Sequence, residues 1–159
     1  MNLPKLQFVT TGQAVDVWRE WAEHYSAHEF NLLGSGWVRV YFGMQARGFD
    51  EVNYSDTSVT LATVAENMTT EQQAERSRLL VLAAELVEGY EPIDWFIDFK
   101  SGYRYPLKHF TEIRYGLVEG VDAKVPYDLS RCCHLVMLAR AWQETGEDRY
   151  RRELMAQMM

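Results

Sequence analysis

The sequence DWFIDFKSGYRYPLKHFTEIRYG, residues 94–116, decides the fold that we predict for this chain. It contains seven aromatic residues, and its four basic side chains outnumber its three acidic ones, whereas the whole chain carries a net charge of −7. Two aromatic-rich segments, 95–99 and 103–105, flank Lys100-Ser101-Gly102, a turn signal that is typical of a β-hairpin. We therefore predict a central hairpin with an aromatic, mildly basic surface.

Alternation along the first strand of this hairpin divides its side chains between two faces. The face expected to point into the core carries Trp95, Ile97 and Phe99. The opposite face is expected to carry Asp94, Phe96, Asp98 and Lys100. Only this second face is then free for a function.

Apolar periodicity and capping residues predict helices on both sides of the hairpin. An apolar stripe with two tryptophans runs along residues 12–29. A second helix is predicted over 71–88, because Thr69 and Thr70 each stand three residues before a glutamine. Its segment 79–84 is apolar around most of the helix, so we expect this helix to be central. A third helix is predicted to open at Pro126.

The C-terminal sequence WQETGEDRY, residues 142–150, looks like the joint of an αα-hairpin in helical-repeat proteins, although a single copy makes no array. Additional strands are expected at 6–10, 37–43, 52–54, 57–64 and 110–118. These patterns predict the α+β class: about four helices packed on a mostly antiparallel sheet, with a C-terminal αα-hairpin. We expect a single α+β domain that covers residues 1–159.

Composition and charge limit the classes of protein to consider. The longest wholly apolar run, 79–84, is too short to cross a bilayer, and the N-terminus lacks the pattern of a signal peptide. Adjacent Cys132 and Cys133 form no disulfide framework. We therefore expect a cytoplasmic protein without membrane contact. The net charge of −7 argues against direct nucleic-acid binding and is compatible with a partner protein that has a basic surface.

The segment IDFKSG, residues 97–102, is similar to the acidic-x-Lys motif of the PD-(D/E)xK nucleases. The resemblance implies that Asp98 binds Mg²⁺ and that Lys100 orients a water molecule or stabilises charge on the phosphate, with Asp56 as a further carboxylate. The protein would then be a Mg-dependent nuclease. The alternative, an exposed Asp–Lys pair on a hairpin, is the interpretation that we favour.

Two other clusters contain residue types that bind metals or act as nucleophiles. Glu20, His24 and His28 recur every four residues on the first predicted helix, so two imidazoles and a carboxylate would be able to share a metal. Packed or hydrogen-bonded histidines are commoner, and we predict no metal and no cofactor. Cys132 and Cys133 lie on an apolar stripe, which favours buried structural thiols.

The function that we predict is therefore non-enzymatic, since the chain has no glycine-rich phosphate loop, no G-x-S-x-G motif and no zinc-ligand spacing. A small acidic protein-binding factor, such as an inhibitor or immunity-type protein, fits these properties. A structural subunit or homo-oligomer is a further alternative. Arginine and aromatic residues dominate binding hot spots. The predicted interface therefore contains Phe96, Tyr103, Arg104, Tyr105, Lys108, Arg114 and Arg39.

Overall fold

The computed structural model describes residues 12–66 and 68–159. Its helices are α1 (Gly12–Ser26), α2 (Leu61–Ala65), α3 (Thr70–Leu86), α4 (Lys124–Ser130), α5 (Cys133–Thr145) and α6 (Asp148–Gln157), with a 3-10 turn at Phe110–Glu112. Its strands are β1 (Glu29–Phe30), β2 (Val38–Arg39), β3 (Ile97–Asp98) and β4 (Tyr103–Arg104). This mixture of helices and small antiparallel sheets agrees with the predicted α+β class. The strand predicted at 6–10 lies outside the described residues.

The broad antiparallel sheet that we predicted is replaced, in the described part of the chain, by two separate ribbons. β1 pairs with β2 in one of them. In the other, β3 pairs with β4, with Ile97 opposite Arg104 and Asp98 opposite Tyr103. The predicted hairpin is therefore present. Each strand is only two residues long, however, so neither ribbon forms a surface on which four helices can pack.

Two predicted strands, 57–64 and 110–118, are replaced by helical structure at least in part, and segment 52–54 forms only an isolated bridge between Val52 and Phe49. In segment 57–64, the Thr60 side chain accepts a hydrogen bond from the Thr63 backbone, and the Thr63 side chain accepts one from the Thr60 backbone. This capping box opens α2, so side-chain capping outweighs the β propensity of the run. Segment 110–118 begins with the 3-10 turn instead of a strand.

The third predicted helix is divided into α4 and α5. Cys132 separates them in a left-handed conformation, with φ of 56°. The break leaves Cys133 exposed, so the prediction of two buried thiols is wrong. α5 ends at Thr145. Gly146 follows with φ of 72°, a left-handed conformation that glycine adopts without steric cost and that ends the helix. α6 follows and packs back on α5, and together they form the C-terminal αα-hairpin.

One cluster of buried side chains connects most of these elements. α5 contacts both α1 and α6, and α3 contacts α6. The hairpin β3–β4 contacts the helical part of the cluster through α4. The largest fully buried apolar side chains are Tyr150, Phe30, Phe99, Ile93, Leu129 and Leu138.

The central hairpin is buried on both faces, and this contradicts the alternation that we predicted. Ile97 and Phe99 are buried as expected, but Asp94 and Asp98 are each only 1% exposed. The alternation fails because both carboxylates have partners inside the protein: Asp94 binds Arg104, and Asp98 binds the backbone of Asp122. No second, solvent-facing side therefore exists at positions 94 and 98.

Helix α3 lies at the edge of the molecule, although its apolar run led us to expect a central helix. It begins where predicted, because the Thr69 side chain caps the backbone of Gln72 and the Gln72 side chain caps that of Thr69. Ala83 is its only buried residue, and Val81 is 59% exposed. Within the described ranges, no helix is both long and apolar enough to cross a membrane.

Candidate functional site

A groove of about 650 Å³ lies between α3 and the segments packed beside that helix. We call it the α3 groove. The apolar side chains that line it come from α3, from α2 and the segment after it, and from the segments around Phe42, the hairpin and the C-terminus. They are Phe42, Val64, Met68, Leu79, Leu80, Ala83, Tyr90, Pro92, Ile93, Trp95, Phe96, Leu107 and Met159. Polar side chains are fewer: Glu71, Gln72, Glu75, Arg76, Arg104 and Gln157.

Two arginines contact the Phe42 ring in this groove. The guanidinium carbon of Arg76 is 5.7 Å from the ring centroid, and that of Arg104 is 5.6 Å from it. Arg104 also lies over the ring of Phe96, at 5.5 Å. These distances are those of cation–π contacts, so the aromatic rings hold both cations against an apolar wall.

The two arginines differ in their anionic partners. Arg104 Nε donates to Oδ2 of the buried Asp94 at 2.8 Å. Arg76 donates to the carbonyl oxygen of Leu61 at 3.1 Å and approaches the sulfur of Met68 at 3.8 Å. No carboxylate in the described parts of the chain forms an ion pair with Arg76. Of the two guanidinium groups, only that of Arg104 therefore has a carboxylate partner in an ion pair.

The pKa shifts in this cluster follow from burial. Burial lowers the pKa of Arg76, and the neighbouring charge of Arg104 lowers it further. Burial also raises the pKa of Asp94 above its usual value, although the Arg104 guanidinium opposes that shift. Asp94 is buried and Arg76 is half-buried, and an electrostatic contact with a ligand is stronger at such a position than at an open surface.

The structure brings only part of the predicted interface to the groove. Phe96 and Arg104 line it. Tyr103 lies in a separate cavity of about 420 Å³, with its ring in edge contact with that of the buried Tyr105 at 5.0 Å. Arg39 is exposed and pairs with Glu91 at 2.8 Å.

The remaining two residues of the predicted interface, Lys108 and Arg114, are exposed and lie outside the α3 groove. Arg114 follows the 3-10 turn, in the segment where we expected a strand. The seven residues consequently do not form one surface, because the hairpin that carries most of them is buried on both sides.

The nuclease-like residues are arranged as turn contacts. Asp98 Oδ1 accepts a hydrogen bond from the Lys100 backbone at 3.1 Å. Its Oδ2 accepts bonds from the Ser101 hydroxyl at 2.6 Å and from the Asp122 backbone at 3.0 Å. Lys100 Nζ donates to the carbonyl oxygen of Leu33 at 3.1 Å. Both carboxylate oxygens of Asp98 are therefore occupied inside the protein, and the lysine is directed to a backbone oxygen.

Asp56 lines the 420 Å³ cavity with Asp94 and Tyr103, and its carboxylate accepts bonds from the backbone and hydroxyl of Ser58 at 2.9 and 2.6 Å. These bonds lower the pKa of Asp56. Asp98 does not line that cavity. In the ranges that the structure describes, no group of three or more His, Cys, Asp or Glu side chains is arranged to hold a metal ion.

The predicted ridge of Glu20, His24 and His28 does not continue as a helix, because α1 ends at Ser26 and His28 has φ of 55°. His24 stacks on Trp37 at 3.9 Å, and its Nδ1 lies 2.6 Å from a Glu29 carboxylate oxygen. His28 is buried, with Nε2 at 2.8 Å from Oε1 of Glu153. Glu20 is exposed. The two imidazoles thus have separate carboxylate partners.

His134 is also buried, and the sequence pattern did not predict its burial. Its ring lies among those of Phe30, Tyr25 and Trp95, with centroid distances of 5.0, 5.6 and 5.8 Å. Burial lowers the pKa of His134 to about 4, so the imidazole is neutral at physiological pH.

The groove residues Phe42, Arg76, Leu79 and Leu80 were absent from the predicted interface. One sequence signal pointed to Leu79 and Leu80, since segment 79–84 is apolar on sides that a surface helix normally keeps polar; no such signal marked Phe42 or Arg76. No protein-family model matches this chain, and comparison with the curated proteins and with the solved structures found no match.

Proposed function

We propose that this protein is a non-enzymatic binding factor, and that its α3 groove docks an amphipathic helix of a partner protein. The observation that carries this proposal is the surface position of α3. A helix that is apolar on most sides normally lies in a core. Here Leu79 and Leu80 line an open groove, and Ala83 alone is buried. A partner that covers the groove would supply the missing apolar neighbours.

The dimensions of the groove support a helix as the occupant. Its lining includes α3 residues from Glu71 to Ala83. At the rise of an α-helix, this stretch is about 18 Å long, which corresponds to roughly three turns. Helices bound in grooves place apolar side chains at positions i, i+3, i+4 and i+7 along one face. The apolar walls formed by Leu79, Leu80, Phe96 and Leu107 fit such a stripe.

Charge and chemistry support a docking role over a catalytic one. The chain has a net charge of −7, and Glu71 and Glu75 lie beside the groove. A partner with basic residues next to its apolar stripe would meet these carboxylates. By occupying the partner's surface, the protein would act as an inhibitor or immunity-type factor. The nuclease alternative lacks similar support, because the oxygens of Asp98 are already bonded within the hairpin.

We place this interaction in the cytoplasm. Cys132 and Cys133 are free thiols, and Cys133 is exposed. Exposed thiols persist in reducing compartments, whereas oxidising compartments convert them to disulfides.

The test compares two substitutions that add the same charge to neighbouring positions of α3. Leu80 lines the groove, whereas Val81 is 59% exposed and does not line it. The wild-type protein, Leu80→Glu and Val81→Glu are immobilised and exposed to extract of the source cells. A protein that the wild type retains is then purified, and its Kd for all three forms is measured by calorimetry.

Docking in the α3 groove predicts that Leu80→Glu weakens binding about 30-fold, as expected when a charge enters a hot spot worth about 2 kcal/mol. Val81→Glu should stay within about threefold of the wild type. Equal affinities of Leu80→Glu and Val81→Glu for the partner protein would contradict the proposal. The proposal would also be contradicted if Leu80→Glu retained every protein that the wild type retains. A second copy as the occupant would also contradict it, and would appear as a concentration-dependent dimer that Leu80→Glu dissociates.

A further inference from the structure

The α3 groove contains one guanidinium, that of Arg76, with which no carboxylate of the described residues forms an ion pair. Asp94 forms its ion pair with Arg104. Arg76 instead contacts a carbonyl oxygen of Leu61 and the sulfur of Met68, both of which are uncharged acceptors. Its guanidinium is only partly exposed, and it lies against Phe42.

This arrangement leaves hydrogen-bonding capacity on Arg76. A guanidinium carries five N–H donors in a planar fork that matches the two oxygens of a carboxylate. One terminal nitrogen of Arg76 makes the contacts with Leu61 and Met68. The Phe42 ring and the packing of α3 restrict the side chain, so less conformational freedom is lost when an anion binds.

We propose that the docked helix carries a Glu or Asp side chain beside its apolar stripe, and that this carboxylate forms an ion pair with Arg76. The inference rests on the proposed function, since it concerns the same groove. Arg104 stays paired with Asp94 and would bring a second positive charge close to the incoming carboxylate. The carboxylate would thus supply the ion-pair partner that Arg76 lacks, while the leucine-type side chains of the helix cover Leu79 and Leu80.

This contact also gives a reason for specificity. An apolar groove alone accepts many amphipathic helices. A basic side chain placed at the same position of the partner would be repelled by Arg76 and Arg104, and an uncharged one would leave Arg76 without an anion when water is excluded. Unfavourable contacts of this kind discriminate against wrong partners. Glu71 and Glu75, at the N-terminal end of α3, would favour basic residues at the other end of the docked helix.

The test uses fluorescent peptides of defined composition, roughly 18 residues long so that they form helices. Every peptide has leucines at positions i, i+3, i+4 and i+7. The peptides differ at one position beside the leucines, which carries Glu in one peptide, Gln in the second and Lys in the third, and one such set of three is made for each of these positions. Their affinities are measured by anisotropy with the whole protein, with Arg76→Gln and with the matched control Arg78→Gln. Arg78 lies two residues further on α3 and pairs with Glu75.

We expect one Glu peptide to bind about tenfold more tightly than its Gln counterpart, and the Lys counterpart to bind most weakly. Arg76→Gln should remove the difference between Glu and Gln, whereas Arg78→Gln should preserve it. In the wild-type protein, the side-chain Nε–H resonance of Arg76 should shift with the Glu peptide and not with the Gln peptide. This second measurement requires no substitution in α3.

Equal binding of the Glu and Gln peptides at every position would refute the ion pair while leaving helix docking intact. A preference for Glu that survives Arg76→Gln, with an unchanged Arg76 resonance, would also refute it. Failure of all peptides to bind would overturn this inference. The proposed function would still be decided separately, by the effect of Leu80→Glu on the native partner.

Discussion

Replacement of Asp98 by asparagine distinguishes a structural carboxylate from a catalytic one. In the structure the carboxylate accepts three hydrogen bonds, two from the backbone N–H groups of Lys100 and Asp122 and one from the Ser101 hydroxyl. Asparagine has the same shape but only one acceptor oxygen. Whichever way the amide is turned, one buried backbone N–H faces an NH₂ group and loses its acceptor.

The cost can be estimated from these contacts. A hydrogen bond to a charged group contributes about 1.5–3 kcal/mol, and an unsatisfied buried donor costs about 1–3 kcal/mol. We therefore expect Asp98→Asn to lower the free energy of unfolding by about 3 kcal/mol. With a urea m-value of about 2 kcal/mol/M for a chain of this size, the unfolding midpoint should fall by about 1.5 M.

Urea unfolding followed by far-UV circular dichroism measures this change. Asp56→Asn is the matched control, because Asp56 is exposed. The amide oxygen of asparagine can also accept the hydrogen bonds that the Asp56 carboxylate accepts from Ser58. The control should unfold at the same urea concentration as the wild type. An Asp98→Asn protein as stable as the wild type would refute our assignment of Asp98 to the hairpin turn and would restore it as a candidate for chemistry.

Two more predictions concern the packing around the hairpin and the core. Gly102→Ala should destabilise the fold by more than about 3 kcal/mol. The φ of Gly102 is 84°, and an added Cβ would lie 2.5 Å from the Ser55 hydroxyl oxygen and 2.6 Å from the Ser55 nitrogen. Gly89 is the control, because its φ is 69° and no atom lies within 4 Å of an added Cβ; Gly89→Ala should cost only about 1–2 kcal/mol in the same unfolding assay. His134, whose pKa is lowered from 6.5 to about 4, should make the protein lose up to about 3 kcal/mol of stability as the pH falls from 6.5 to 4, because the unfolded imidazole takes up a proton that the folded one excludes. Unfolding measured across this range should show a smaller loss for His134→Phe, and parallel curves for the two proteins would contradict the burial of a neutral imidazole.

Local signals in the sequence predicted the elements that are fixed by local contacts. The start of α3 follows from the capping box of Thr69 and Gln72. The turn of the central hairpin follows from Gly102, which adopts a positive φ. A similar local contact, the capping box of Thr60 and Thr63, was overlooked, and a helix was consequently predicted as a strand.

Contacts between distant segments could not be predicted in this way. The Asp98 carboxylate binds the backbone of Asp122, 24 residues further along the chain, so the burial of this carboxylate is invisible to strand alternation. For the same reason, our prediction that α3 is a central helix was wrong. Its apolar run indicates that the helix needs apolar neighbours, but it does not specify whether they come from the same chain or from a partner.

The same limit applies to the candidate site. Phe96 and Arg104 were predicted because arginine and aromatic residues dominate binding surfaces. Arg76 and Phe42 were missed, since their proximity depends on how α3 packs beside the segment that precedes α2. The packing of the folded chain brings the two guanidinium groups to one aromatic ring.

Amide hydrogen exchange of the protein, alone and bound to its purified partner, tests the docking of a helix in the α3 groove most directly. Docking predicts that the partner slows exchange mainly in α3 and in segment 93–96, because both line the groove. Exchange in segment 112–122, which does not line the groove, should be unchanged. Protection confined to segments outside the groove, with α3 exchanging as in the free protein, would contradict the proposal.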